Sequence, residues 1–164
     1  MNILPDLLVS GLRVVFCGTA PGAASAKRSA YYAGPGNAFW RTLFEIGLTP
    51  RLLQPAEYYS VAQFGLGLTD LAKTVSGADA VLRQEHFDRD GLRAKIQHFR
   101  PKILALTSKR AGEEFIGRRL EYGPAHHAIG STLIVVLPSP SGAARRYWTQ
   151  TPWRGLAALA QEGH

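Results

Sequence analysis

An α/β fold, a central and mostly parallel sheet with helices on both faces, is what this 164-residue sequence predicts. Three observations carry that expectation. LRVVFC (Leu12–Cys17), KILALTS (Lys102–Ser108) and TLIVVLP (Thr132–Pro138) are short apolar runs, the pattern of strands buried on both faces. Helical periodicity lies between them. The first and last runs open into loops rich in Gly, Pro and Ser, where open α/β sheets hold their ligands.

The elements follow in order. Leu12–Cys17 is the first strand, and Cys17 is read as a buried core thiol. Asn37 is placed to cap FWRTLFEIG, whose apolar residues recur at helical spacing. GLGLTDL (Gly65–Leu71) adds a fourth short strand, for a sheet of about four. Further helices are expected over Arg89–Phe99, Lys109–Arg119 and Pro152–Gln161, the last with proline in its first turn. Lys73–Asp88 reads as a loop. The loops 18–36, 69–74 and 138–146 gather at one end of the sheet. The whole chain, 1–164, is read as one domain.

Composition narrows the partners. Hydrophobic residues make up 46% and charged residues 19%, as in a globular domain. The net charge of +7 and pI near 9.9 suit a polyanion, with nucleic acid the first candidate. One cysteine excludes an internal disulfide and a four-cysteine zinc or iron–sulfur site. The pair His126 and His127 has no HxE or CxxC companion, so it reads as a surface pair and no metal is expected. No targeting segment and no apolar stretch of membrane-spanning length is visible, which makes the cytoplasm the expected location.

Two motifs carry chemistry. CGTAPGAASAKRSAYYAGPGNAFW (Cys17–Trp40) is a glycine-rich loop, but GxxxxGK[ST] and GxGxxG are both absent, which argues against a nucleotide cofactor. LPSPSGAARR (Leu137–Arg146) backs small residues with an arginine pair, suited to a phosphate backbone or groove. A small-molecule α/β hydrolase is a rival reading, weakened by the lack of GxSxG.

Together, a strand entering G-x-x-PG, an aromatic, NxFW and a late LPxPSG resemble the mismatch-specific branch of the uracil-DNA glycosylase superfamily. YYAGPGNAFW and FGLGLTDL also resemble its hypoxanthine-DNA glycosylase branch. The resemblance covers most of the chain and is weakest from about Lys73 to Ile129. It implies a monofunctional, cofactor-free and monomeric DNA repair enzyme, associated with the nucleoid. Such an enzyme flips a deaminated base, uracil first, into a pocket and hydrolyses its glycosidic bond. The rival readings within the family are excision of hypoxanthine or xanthine, and non-catalytic binding of uracil or abasic DNA.

Carried onto this chain, the resemblance places the Gly18–Gly22 backbone, including Thr19, Ala20 and Gly22, around the base. Tyr32 falls at the stacking position, with Tyr31 beside it a core residue. Ala20 stands where the mismatch-specific branch has an asparagine that positions water, so the polar group must come from elsewhere. Asn37 is the first candidate, with helix capping as its structural alternative. Asp70, at the end of GLGLTD, is the second; it could accept from the attacking water or cap the next turn. Ser139 replaces the Asn or His that opens the second motif. Ser141, Gly142, Ala143, Arg145 and Arg146 are expected on DNA, with Lys27, Arg28 and Lys73 as further phosphate contacts. Ala143 stands where relatives carry a bulky leucine that enters the duplex, and alanine is a poor wedge.

Overall fold

The computed structural model describes residues 1–162; Gly163 and His164 lie outside the described residues. Among the described residues five strands form one sheet: β1 (Val14–Gly18), β2 (Leu66–Asp70), β3 (Ile103–Leu106), β4 (Gly123–Ile129) and β5 (Thr132–Val136), in the order β2-β1-β3-β5-β4. β1 pairs in parallel with β2 and β3, and β3 with β5, while β4 runs antiparallel to β5.

The expected apolar runs are all strands. Every residue of β1, β2 and β3 is buried, because helices cover both faces. On one face Val14 and Phe16 pack with Phe39, Leu43 and Trp153; on the other Val15 and Cys17 pack with Ile96, Leu104 and Phe115. Burial pushes the Cys17 thiol well above its ordinary pKa, as for an inert core cysteine.

The helices are α1 (Ala23–Arg28), α2 (Phe39–Glu45), α3 (Arg89–Phe99), α4 (Lys109–Ile116) and α5 (Thr151–Gln161). The Asp88 side chain caps α3 by accepting from Gly91 N at 2.9 Å, and Ser108 caps α4 by accepting from Ala111 N at 3.0 Å. α4 stops at Ile116, short of the expected Arg119, because Gly117 turns left-handed at φ 88°.

Several elements were not expected. β4 was hidden by its polar, outward-facing residues, and its ladder is broken between Pro124 and Ala128, with His126 at φ 50°. α1 lies inside the glycine-rich loop. A 3₁₀ segment, Pro55–Phe64, leads into β2. The loop after Lys73 holds two 3₁₀ turns, Asp79–Val81 and Gln84–His86.

The chain from β1 goes to β2 on one side, and β3 is then laid on the other. The carboxyl ends of β1 and β3 therefore flank the point where strand order reverses, where open α/β sheets leave a crevice.

Candidate active site

A cavity of about 660 Å³ opens at that end of the sheet, within the size range of small-molecule pockets. Its walls come from the loop after β1, the loop before α2, the segment 77–80 and the loop after β5.

The floor is built by three strand ends. Gly18 pairs in register with Asp70, and Thr107 N donates to the Cys17 carbonyl at 3.0 Å. A methyl group at Gly18 would lie 3.2 Å from Asp70 Oδ1, 3.4 Å from Thr107 Oγ1 and 3.7 Å from the Tyr32 hydroxyl. A side chain at Gly18 would crowd these polar groups, the Asp70 carboxyl most. Two further bonds hold the loop after β1 in place: Leu71 N donates to the Gly18 carbonyl at 2.9 Å, and Ala72 N to the Thr19 carbonyl at 2.7 Å.

Asp70 is 5% exposed, and its Oδ2 is buried with no hydrogen-bond partner among the described residues. Burial pushes its carboxyl pKa up to about 7; Lys73 pulls it down and Asp6 adds to the rise. Asp70 is therefore not consumed as a turn cap. It is a buried carboxyl at the floor of a cavity, where burial favours its protonated form, which makes it a candidate functional group.

Tyr32 adopts φ 53° and stacks on Phe39, with ring centres 3.8 Å apart. Its hydroxyl and Thr107 Oγ1 are 3.0 Å apart. Burial, then the nearby Asp70, raise its phenol pKa well above the ordinary value, so the hydroxyl stays protonated. The ring lines the cavity with Phe39 behind it. Tyr31 is a core residue, 2% exposed, whose hydroxyl donates to the Pro5 carbonyl at 2.9 Å.

Ala38 takes the N-cap position of α2, and Asn37, one residue earlier, engages the helix start: its Oδ1 accepts from Phe39 N, the first helical residue, at 2.9 Å. Asn37 also lines the cavity. Its carbonyl end is engaged, so the amide Nδ2 is the end left to meet a ligand. Ser139 lines the cavity too, with its Oγ accepting from Ser141 N at 3.2 Å. Thr19, Ala20 and Gly22 are in the wall. Thr19 Oγ1 donates to Asp79 Oδ1 at 2.8 Å, which ties segment 77–80 to the mouth.

The second motif forms a 3₁₀ turn, Gly142–Tyr147, capped by Ser141. It is locked against the first motif: Ala38 N donates to the Pro140 carbonyl at 2.8 Å. A methyl group at Gly142 would sit 2.6 Å from the Pro35 carbonyl oxygen, so no larger residue fits. Arg145 and Arg146 are exposed at this rim, and Arg145 Nη2 lies close over Gly36. Lys27 and Arg28 are exposed on α1.

Lys73 is not a surface phosphate contact. It is 8% exposed, with Nζ 2.7 Å from Asp6 Oδ1 and donating to the Tyr31 hydroxyl at 3.2 Å. Burial tends to raise the Asp6 pKa, but hydrogen bonds from Lys73, Lys95 and Thr69 outweigh it and hold the carboxyl below its ordinary value. This network packs behind the site. Among the described residues no three His, Cys, Asp or Glu side chains are grouped to hold a metal ion, and no helix is long and apolar enough to cross a membrane.

A crevice at the strand-order reversal, floored by a buried carboxyl and an aromatic ring and rimmed by arginines, is the ligand site of an open α/β protein. The model of the uracil DNA glycosylase superfamily matches residues 5–161, and the chain belongs to that superfamily. Its fold is similar to the solution NMR structure of "a putative Uracil DNA glycosylase from Methanosarcina acetivorans", with a TM-score of 0.64 at 21% identity, over 98% of this chain and 97% of that one.

Sequence reasoning passed over Thr107 and Tyr147, both of which line the cavity. Thr107 directly follows the apolar run of β3, so its place at a strand end was the signal available.

Proposed function

We propose that this protein hydrolyses the N-glycosidic bond of a deaminated base in DNA, uracil first, and leaves an abasic site. The observation that carries this reading is the cavity floor, where Asp70, Thr107 and Tyr32 converge at Gly18. The nucleotide turns out of the duplex into the cavity. Its base lies on Tyr32, whose ring is backed by Phe39. Such stacking is worth about 1–3 kcal/mol.

Bond cleavage builds positive charge on the sugar and negative charge on the departing base. Ionised Asp70 accepts a proton from the attacking water and steadies the cationic sugar, a role within the reach of general-base catalysis. It takes over the work of the amide that Ala20 lacks. The Asn37 amide and the Ser139 hydroxyl donate to the base edge and stabilise the leaving charge. Gly18, Thr19, Ala20 and Gly22 enclose the base. Ser141, Gly142, Ala143, Arg145 and Arg146 bear on the DNA, the two arginines on its phosphates. No lysine is set to form a Schiff base, so the reaction ends at the abasic site. The protein acts as a cytoplasmic monomer without a cofactor.

The test uses labelled single- and double-stranded oligonucleotides with one uracil, hypoxanthine or xanthine, treated with alkali after incubation. Strand breaks at uracil that appear only after alkali are expected. Breaks at hypoxanthine alone would move the substrate to the purine lesion. Selective binding of damaged DNA with no breaks would make the protein a damage binder.

A further inference from the structure

Asp70 ends β2, and β2 is an outer strand of the sheet. An outer strand leaves a row of backbone groups without a sheet partner. Here the N-terminal segment 3–7 lies along that row. Leu7 N donates to the Leu68 carbonyl at 2.9 Å, Leu68 N donates back to the Leu7 carbonyl at 3.0 Å, and Ile3 N donates to the Lys73 carbonyl at 2.7 Å. The chain is thus held on both sides of Asp70. Leu4, 1% exposed, reaches the cavity wall.

Asp6 is the hub of this segment. Its Oδ1 accepts from Thr69 Oγ1 at 2.7 Å and lies 2.7 Å from Lys73 Nζ; its Oδ2 lies 2.6 Å from Lys95 Nζ on α3. Lys73 Nζ also donates to the Tyr31 hydroxyl, which in turn donates to the Pro5 carbonyl. Tyr31 precedes Tyr32, so one cluster ties the floor to the segment of the stacking ring. A buried ion pair adds little net stability, because desolvation offsets the attraction. One carboxylate between two ammonium groups leaves one positive charge over, the counter-charge that an ionised Asp70 needs.

The titratable groups that interact with Asp70 are Asp6 of the N-terminal segment, Cys17 of β1, Tyr31 and Tyr32 before α2, Lys73 after β2 and Lys95 of α3. Burial keeps the thiol and both phenols neutral. The charges acting on Asp70 are then those of Asp6, Lys73 and Lys95. Burial raises the Asp70 pKa, Lys73 lowers it, Asp6 raises it and Lys95 lowers it.

We propose that Asp6 is a positioning residue for base excision: through Thr69, Lys73 and Lys95 it holds the Asp70 carboxyl in place and sets the positive charge behind it. The assignment rests on the reading of Asp70 as the group that activates water. Removing the Asp6 charge leaves both cations unopposed and favours the Asp70 carboxylate. Removing a cation does the reverse.

The experiment compares the protein with Asp6→Asn, Lys73→Met, Lys73→Arg and Lys95→Met. Glu57→Gln, which breaks an ion pair with Arg51 outside the cavity lining, is the control. Two quantities are followed from acid to alkaline pH. One is single-turnover uracil excision. The other is the NMR shift of the Asp70 carboxyl carbon, identified by its loss in Asp70→Asn. Asp6→Asn should move the Asp70 midpoint and the bend in the rate down by about half a pH unit or more, and Lys73→Met and Lys95→Met should move both up, as neighbouring charges move a carboxyl. Lys73→Arg keeps the charge and should stay near the parent, and Glu57→Gln should match it. The Lys95 side chain is 29% exposed, so Lys95→Met keeps the test open if the buried substitutions do not fold. Lost stability with midpoint and bend unmoved would leave Asp6 a structural support alone and overturn the assignment. Shifts of the same sign in Asp6→Asn and Lys95→Met would also overturn it. If the parent excises no base, opposite shifts of the carboxyl signal still uphold the hold of Asp6 on Asp70 while the glycosylase reading fails. Excision whose bend ignores Asp6 and Lys95 upholds the glycosylase reading and removes Asp6 from it.

Discussion

The floor of the cavity and its rim are built on opposite principles. At the floor, Gly18, Asp70 and Thr107 are fixed by parallel strand ends, and Asp70 and Thr107 are 5% and 3% exposed. At the rim, the turn Gly142–Tyr147 holds no buried residue and carries two arginines. Burial at the floor raises the Asp70 pKa and keeps the Tyr32 hydroxyl protonated. At the rim Arg145 and Arg146 are exposed. Under the proposed function the difference is a division of labour: the buried floor carries the chemistry and the exposed rim grips the DNA. Floor substitutions should change the rate of excision, and rim substitutions should change binding and its salt dependence.

The largest effect should come from Asp70→Asn, which keeps shape and removes the ionisable group. Single-turnover excision should fall about a hundredfold or more, within the range of a lost general base. DNA binding should hold. An unchanged rate would move the chemistry off the floor.

Asn37 tests the same division at the wall. Asn37→Ala should slow excision about a hundredfold and also lose the cap on Phe39 N, worth about 1 kcal/mol. Asn37→Asp retains an acceptor for the cap but no amide. It should stay as slow as the alanine variant while recovering the melting temperature. Recovery of the rate along with stability would make Asn37 a cap alone.

Gly18→Ala should cost about tenfold or more in rate, since small displacements of reacting groups are expensive. Its added methyl would sit 3.2 Å from Asp70 Oδ1. At the rim, Arg145→Ala should weaken binding across sequences and lower the slope of log affinity against log salt by about one. It should leave the rate at saturating protein unchanged. A fixed slope would remove Arg145 from the DNA footprint.

The smallest expected effect is on stability. The folded chain holds the Asp70 proton up to about pH 7, against an ordinary value of 3.8. The unfolded chain gives it up earlier, so stability declines as pH rises through that window. The carboxyl of Asp6 is shifted the other way and acts below its ordinary value of 3.8, outside the window. Between pH 5 and pH 8 the parent should therefore lose a few degrees of melting temperature relative to Asp70→Asn, at roughly 2–4 °C per kcal/mol for a chain of this size.

Much of this was legible in the sequence because buried parallel strands write themselves as apolar runs. Lys102–Ser108 and Thr132–Pro138 each contain a strand, and Leu12–Cys17 holds all of β1 but Gly18. β4 was illegible because an edge strand is half solvated, and GPAHHAI carries no apolar run. Tyr32 and Asn37 could be placed because they lie within the motif itself. That Asn37 would engage the start of α2 was foreseeable from capping chemistry, whereas its place in the cavity wall was not. Thr107 and the Lys73–Asp6 pair depend on contacts between residues 75 and 67 positions apart, which no local pattern encodes. Lys73 looked like a surface cation because burial of a lysine requires a partner that only folding supplies.

The most direct test of the central claim is the pH profile of single-turnover uracil excision by the unmodified protein. Ionised Asp70 at the floor predicts a rate that rises about tenfold per pH unit on the acid side, bends near pH 7 and then stays level. A rate that is flat through pH 7, or that falls as pH rises from 6 to 8, would contradict a carboxylate at Asp70 as the group that activates water.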